Sequence, residues 1–445
     1  MSAEEFDAGL ALRAYVDGRA ISCSSRRRIS LHENATLVAL RTMAGVEGSL
    51  WGVAVGRAGD ARPVVVVAAD PVVGIEQAEC FRAIGAEAAV TPHPCLVVAN
   101  PEAADALSAA ALRARRAADP IVARGVEIAR FVAERGEVAG SDSLVVATTA
   151  LAEHFVWPGR DLAPDSLSHA LSYLTGRRAA VEHGSGGSTT TPLELDLRRL
   201  DAVVSRSRRE RERVGDVALE TAKRRRVEIG AVLAPLLRAD FALLVDAVGV
   251  LELPGLDLLS GAERRCAAEA RAWSRAEDRI ARGIRRSTRP SALGAALHLR
   301  ECEHARARLE MELLAEDSVA RARAIATGSI LSGTVTALDG PLVAVTTPQV
   351  VLRQRTGDSV VLQDLGCAAE VVAIVSHPSS TTLQLRLAGP LPDNVGLGST
   401  IETRPVVLDA PLRQKGASWT HDRPAAVVGE LTTEPLGGPG RPGLT

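Results

Sequence analysis

A chain of 445 residues with 46% hydrophobic composition is long enough for roughly two to four cores. Its net charge of −2 gives no overall basicity, so any nucleic-acid footprint has to be local. Aromatics are 2% of the chain, and Lys223 and Lys415 are the only lysines, which argues against an aromatic base-stacking platform and against a phosphate-loop or Schiff-base lysine.

No stretch of 18 apolar residues occurs, and the opening MSAEEFDAGL is acidic where a signal peptide is basic, so a cytoplasmic protein is expected. The six cysteines, Cys23, Cys80, Cys95, Cys266, Cys302 and Cys367, form no CxxC pair. They read as small hydrophobes in a reducing compartment. Cys302 and His304 lie two apart on a helix and point away from each other, so they make no metal pair. No metal and no cofactor is expected.

Residues 1–117 read as an α/β domain. A helix is expected at 4–16, strands at 36–41, 49–56 and 63–69, a helix at 74–84, a strand at 95–98 and a helix at 101–116. The unbroken run Val64, Val65, Val66, Val67 suggests a central strand covered on both faces. Two constellations stand out. His93-Pro94-Cys95, with Asp70 at the end of another strand, is conceivable as a cysteine nucleophile with a histidine base, but Cys95 heads an apolar run, and a buried thiol is the default. The loop Ser24-Ser25-Arg26-Arg27-Arg28 is either an anion or phosphate-backbone holder or a solvated surface.

Residues 118–196 carry the order helix, helix, helix, hairpin. Ile121, Val122, Val126, Ile128, Ala129 and Val132 recur at helical spacing, and Gly136 follows as a stop. After a short apolar run at 144–147, threonine is expected as the cap of a helix whose inner face is Leu151, Ala152 and Phe155. A third helix opens at Pro164-Asp165-Ser166 and buries Leu167, Ala170, Leu171 and Leu174. Two strands at 178–183 and 189–195 flank a Gly/Ser tip. That is the order of a winged helix. Such a module would turn Ser166, Ser168, His169, Ser172, Arg177 and Arg178 toward a DNA major groove. Winged helices also serve as protein-binding modules, and this outward face is polar but only weakly basic.

Residues 197–328 read as an Arg-rich helical bundle or coiled coil. Between Arg198 and Arg226 stand eleven basic and five acidic residues, a local charge of +6. Arg206, Arg208, Arg209, Arg211 and Arg213 fall in a gap of the apolar stripe. They are candidate phosphate contacts, against the alternative of a surface helix laced with Arg/Glu pairs. Pro235, Arg238, Asp240 and Asp246 interrupt an otherwise apolar stretch at 231–251, which marks a buried helix and not a membrane span. Helices of this length pack as a bundle or hairpin stalk, and a homodimer through 193–327 is expected.

From 329 to 408, short β-branched runs at 330–338, 342–346, 350–353, 359–363, 369–375, 381–387 and 399–403, separated by turns such as Asp339-Gly340, have the spacing of a small β-barrel. Residues 409–445 read as a disordered Gly/Pro-rich tail. The expected fold class is thus multidomain α+β: an N-terminal α/β domain, a winged-helix-like module, a long helical bundle or hairpin, and a small C-terminal β-barrel. The functional expectation is a non-enzymatic DNA-binding protein that acts as a dimer. Two alternatives stay open: a structural or assembly protein whose bundle and barrel are protein interfaces, and a hydrolase with its site in the N-terminal domain.

Overall fold

A computed structural model describes residues 3–405, apart from 32–33, 43–47, 61, 69–73, 89–92, 115–118, 159–165, 176–216, 253–256, 285–290, 350–351, 363–366 and 391–394. The fold is mixed α+β. Helix α1 (Ala3–Asp17) leads through the two-residue strands β1 (Ile21–Ser22) and β2 (Arg26–Arg27) into the central sheet. That sheet is built from β3 (Thr36–Thr42), β4 (Leu50–Arg57), β5 (Val64–Val67), then α2 (Gly74–Glu87), β6 (Leu96–Val98), α3 (Pro101–Ala114), α4 (Pro120–Arg135) and β7 (Leu144–Val146). Its strand order is β5-β4-β3-β6-β7. The first three strands form an antiparallel ladder, and β6 and β7 add to β3 in parallel.

Two cores cover this sheet because its strands alternate. Leu37 and Ala39 of β3 face one core, and Val38 faces the other together with Leu50 and Val53 of β4. The second face is covered by α2, α3 and α4. There, α2 and α4 touch backbone to backbone: a Cβ on Gly125 would overlap the Phe81 carbonyl, and one on Gly85 would stand 2.5 Å from the Ile121 carbonyl. The first face is covered by α5 (Ala147–His154), which precedes the short strand β8 (Phe155–Val156), by α6 (Leu167–Thr175), and by α7 (Val217–Leu251). Helix α7 runs through Pro235, and Leu233, Leu237, Phe241, Leu244 and Val248 bury one stripe of it against the sheet.

The chain continues through β9 (Asp257–Leu258), paired with β2, to α8 (Ala262–Ala281), α9 (Ala292–Glu316) and α10 (Ser318–Ala326). Trp273 of α8 packs edge-on against Phe131 of α4, ring centroids 5.0 Å apart, and so joins the second core. Strands β10 (Ser332–Asp339), β11 (Leu342–Thr347), β12 (Ser359–Leu362), β13 (Cys367–His377), β14 (Ser380–Leu387) and β15 (Thr400–Pro405) then close into an antiparallel barrel in the order β10-β11-β14-β13-β12-β15. Val343, Val345, Leu383 and Leu385 fill its interior, while Thr336, Thr346 and Thr382 form a hydroxyl ladder across three strands. Arg321 of α10 bonds Glu402 of β15 at 2.7 Å.

The structure differs from the sequence reading in four places. The valine run of β5 is an edge strand, paired among the described residues only with β4; Val65, Val66 and Val67 are partly covered by the two cores and Val64 is exposed, because composition does not encode position in the sheet. Helix α4 and strand β7, read as parts of a separate winged-helix-like module, belong to the central sheet and its helical cover. A three-residue Leu-Val-Val strand looks the same in either setting. The hairpin expected at 178–195 lies outside the described residues. Helices α7 and α8, read as neighbours in a bundle, join different cores: α7 packs on β3, β4 and β5, and α8 reaches the second core through Trp273 on Phe131 of α4. Leu352 and Arg353 belong to no strand. The tail from 409 also lies outside the described residues.

Candidate functional site

The carboxyl ends of β3 and β6 open into a cleft of about 430 Å³. It sits where the parallel pair β3/β6 meets the antiparallel ladder, the switch point of the sheet at which open α/β sheets leave room for ligands. Arg41 is the third residue, after Leu37 and Ala39, on the β3 face that looks at α7, and it stands where apolar cover gives out. Its guanidinium forms a two-pronged pair with Asp240 of α7, Nε donating to Oδ2 at 2.6 Å and Nη2 to Oδ1 at 2.7 Å. Both side chains are about a quarter exposed, so the pair is the polar end of the core and one wall of the cleft.

Opposite it, Asn100 follows β6 and its Oδ1 accepts from Ala103 N–H at 2.9 Å, capping α3 in the usual manner of asparagine. Glu102 in the first turn of α3 also lines the cleft. The described lining therefore holds one cation against two carboxylates and carries no excess positive charge.

Two of the residues expected from sequence reach this cleft. Ser166 and Ser168 are exposed on its rim, with their hydroxyls hydrogen-bonded to each other at 2.8 Å. The other two described candidates are engaged elsewhere. His169 stacks obliquely on Tyr173, with Nε2 3.2 Å from the tyrosine hydroxyl, and Ser172 Oγ donates to the His169 carbonyl at 2.7 Å. Leu167, Ala170 and Leu171 anchor α6 in the core. Arg177, Arg178, Arg206, Arg208, Arg209, Arg211 and Arg213 lie outside the described residues.

Sequence reasoning missed Arg41, Asn100 and Asp240. The signal for Arg41 was there, as a charged residue ending the apolar run Leu37-Val38-Ala39-Leu40. Asp240 was read only as an interruption of an apolar helix. Nothing local tells that the two meet across 199 residues.

Away from the cleft, Cys95 is 1% exposed within the first core, whereas His93 Nε2 stands 3.2 Å from Asp142 Oδ1; Asp70 lies outside the described residues. The loop 24–28 does hold an anion, and it is the protein's own: the Asp317 carboxylate accepts from Ser24 and Ser25. Arg26 pairs with Asp257 at 3.2 Å, Arg27 donates to the Leu251 carbonyl, and Arg28 stands 3.9 Å from Glu153. Among the described residues, no helix is long and apolar enough to cross a membrane. Compared with protein-family models, with curated proteins and with solved structures, the chain matches none.

Proposed function

We propose that the chain is a non-enzymatic DNA-binding protein. The observation that carries this reading is the mounting of α6: three apolar residues fix the helix in the core while Ser166 and Ser168, at its N-terminal end, stand outward on the rim of a cleft. A rigidly held helix with a polar N-terminal edge is what reading a groove requires. The cleft lacks excess positive charge, so it supplies little affinity for phosphates. That role falls to the stretch from Arg198 to Arg226 with its charge of +6. Fluorescence anisotropy of a labelled duplex at several salt concentrations tests the reading. Binding that weakens steeply with salt supports it, and no binding at low salt removes it.

A second reading, a protein that assembles with a second copy of itself, is favoured by α9. Leu293 and Leu297, one helical turn apart, are 43% and 40% exposed, a short apolar row on a helix otherwise rich in Arg and Glu. Sedimentation of the full chain at tens of micromolar, the order of concentration at which weak pairs form, decides it. A dimer that dissociates in Leu293→Glu/Leu297→Glu supports this reading, and a monomeric wild-type chain removes it.

A further inference from the structure

Three segments that the sequence keeps far apart converge beside the second core. One is the run from His93 into β6, another the loop 136–143 after α4, and the third the N-terminal part of α8 carrying Cys266. Their polar atoms cluster: His93 Nε2 stands 3.2 Å from Asp142 Oδ1, and one donor atom from each of His93, Asp142 and Cys266 lies within 4.8 Å of the other two. The His93 and Asp142 side chains are 1% and 3% exposed, and Cys266 is half-buried.

The backbone around this cluster is fixed from every side. Leu96 N–H donates to the Ser143 carbonyl at 2.8 Å, which joins the first two segments. Ser143 Oγ donates to Glu269 Oε2 at 2.9 Å, which joins the second segment to α8 less than one turn beyond Cys266. Arg135 clamps the same Glu269 with two bonds of 2.8 and 2.7 Å. Hydrogen-bonded carboxylates and hydroxyls that hold the ligand-bearing segments in this way are what a preorganised metal site needs behind its ligands.

One atom has no account within the described residues. Asp142 Oδ2 is buried and has no hydrogen-bond partner, and a buried carboxylate oxygen left so is strongly disfavoured. The Cys266 thiol lies beside the same carboxyl group. A divalent cation would satisfy the orphan oxygen and take the thiolate. Its charge would cancel that of one carboxylate and one thiolate, with the imidazole neutral. Imidazole nitrogen, thiolate sulfur and carboxylate oxygen together suit zinc and disfavour calcium or magnesium, which take oxygen ligands.

We propose that His93, Asp142 and Cys266 form a zinc-binding site, with the fourth coordination position left to water. The two closest donors are already near the spacing of roughly 3.5 Å between ligands of a tetrahedral zinc ion. This site is separate from the cleft and does not depend on the DNA-binding reading. A second group, Glu137, His298 and Cys302, is more open to solvent: the Glu137 side chain is 66% exposed and already pairs with His298 at 2.8 Å. It serves as the internal control.

The full chain, stripped with a chelator, is titrated with Zn²⁺ in competition with a chromophoric chelator and with Co²⁺ as a spectroscopic stand-in. The expected result is one tight equivalent of Zn²⁺, a thiolate-to-cobalt charge-transfer band, and a higher Tm with zinc bound. Cys266→Ser loses the band, Asp142→Asn binds zinc at least about tenfold more weakly, and Cys302→Ser keeps the wild-type signal. A wild-type chain with no charge-transfer band and no zinc-dependent Tm shift overturns the proposal without reference to any variant. So does a band that survives Cys266→Ser and vanishes in Cys302→Ser.

Discussion

Ser24 and Asp317 stand 293 residues apart and meet through a buried hydrogen bond, with Ser24 Oγ donating to Asp317 Oδ2 at 2.5 Å. The same carboxylate accepts from the Ser25 N–H and hydroxyl, and it caps α10 through the Val319 and Ala320 N–H groups. Burial by itself would raise its pKa, but these donors outweigh it and hold the group below the ordinary carboxylate value. The N-terminal segment is thereby tied to the junction of α9 and α10, ahead of the barrel.

Asp317→Ala removes the cap of α10 and takes the acceptor from the Ser25 N–H at once, while the Ser24 hydroxyl keeps the Arg26 carbonyl, so urea unfolding is expected to show a loss of about 2–4 kcal/mol. Arg26→Gln, which removes a part-exposed pair with Asp257 and a long bond of 3.3 Å to the Glu316 carbonyl, is expected to change stability by about 1 kcal/mol or less. Equal effects would mean that the loop is held by its arginines and not by the carboxylate.

Gly125 offers a test whose sign is unusual. In a solvated helix Gly→Ala stabilises by about 1 kcal/mol. Here the added methyl meets the Phe81 carbonyl of α2, so α2 and α4 must separate. Gly125→Ala is expected to destabilise by about 1–3 kcal/mol, as overpacking does, measured as a lower urea midpoint with unchanged slope. A stabilised variant would show that the two helices have room to move apart.

His154 is 2% exposed, and its pKa is pushed down from 6.5 to about 4, first by burial and then by Arg28. Between those values the unfolded chain holds a proton that the folded chain does not. Stability is therefore complete above pH 6.5 and falls as pH drops toward 4, by about 3 kcal/mol at most. His154→Gln is expected to flatten that slope. Unfolding free energies measured from about pH 4 to 7.5 check this, and parallel curves for the two proteins would place the titrating group elsewhere.

For DNA, changing Arg206, Arg208, Arg209, Arg211 and Arg213 to Gln is expected to reduce the log–log salt slope by about 0.9 for each phosphate no longer neutralised and to weaken all sequences alike. Ser166→Ala/Ser168→Ala is expected to leave the slope intact and to lower only the preference among duplexes. Anisotropy across a series of salt concentrations reads both. An unchanged slope in the five-Arg variant would turn the choice to the assembly reading.

The strands and helices were legible because burial leaves a local trace. Short apolar runs marked β3 and β4, the helical spacing of Val122, Val126, Ile128 and Ala129 marked α4, and turns such as Asp339-Gly340 spaced the barrel strands. The rim serines were found the same way, as the polar side of an apolar helix. What each apolar face is buried against is not local. Among the described residues only β4 pairs with Val64 to Val67, which puts them at the sheet edge, and α7 and α8 join different cores, α8 through Trp273 on Phe131. Arg41 with Asp240, and Ser143 with Glu269, are joined across 199 and 126 residues. Sequence periodicity determines which side of an element seeks cover, since that depends on a few neighbours in the chain. Only the folded chain decides which charge stands opposite which, since that depends on where whole elements come to rest.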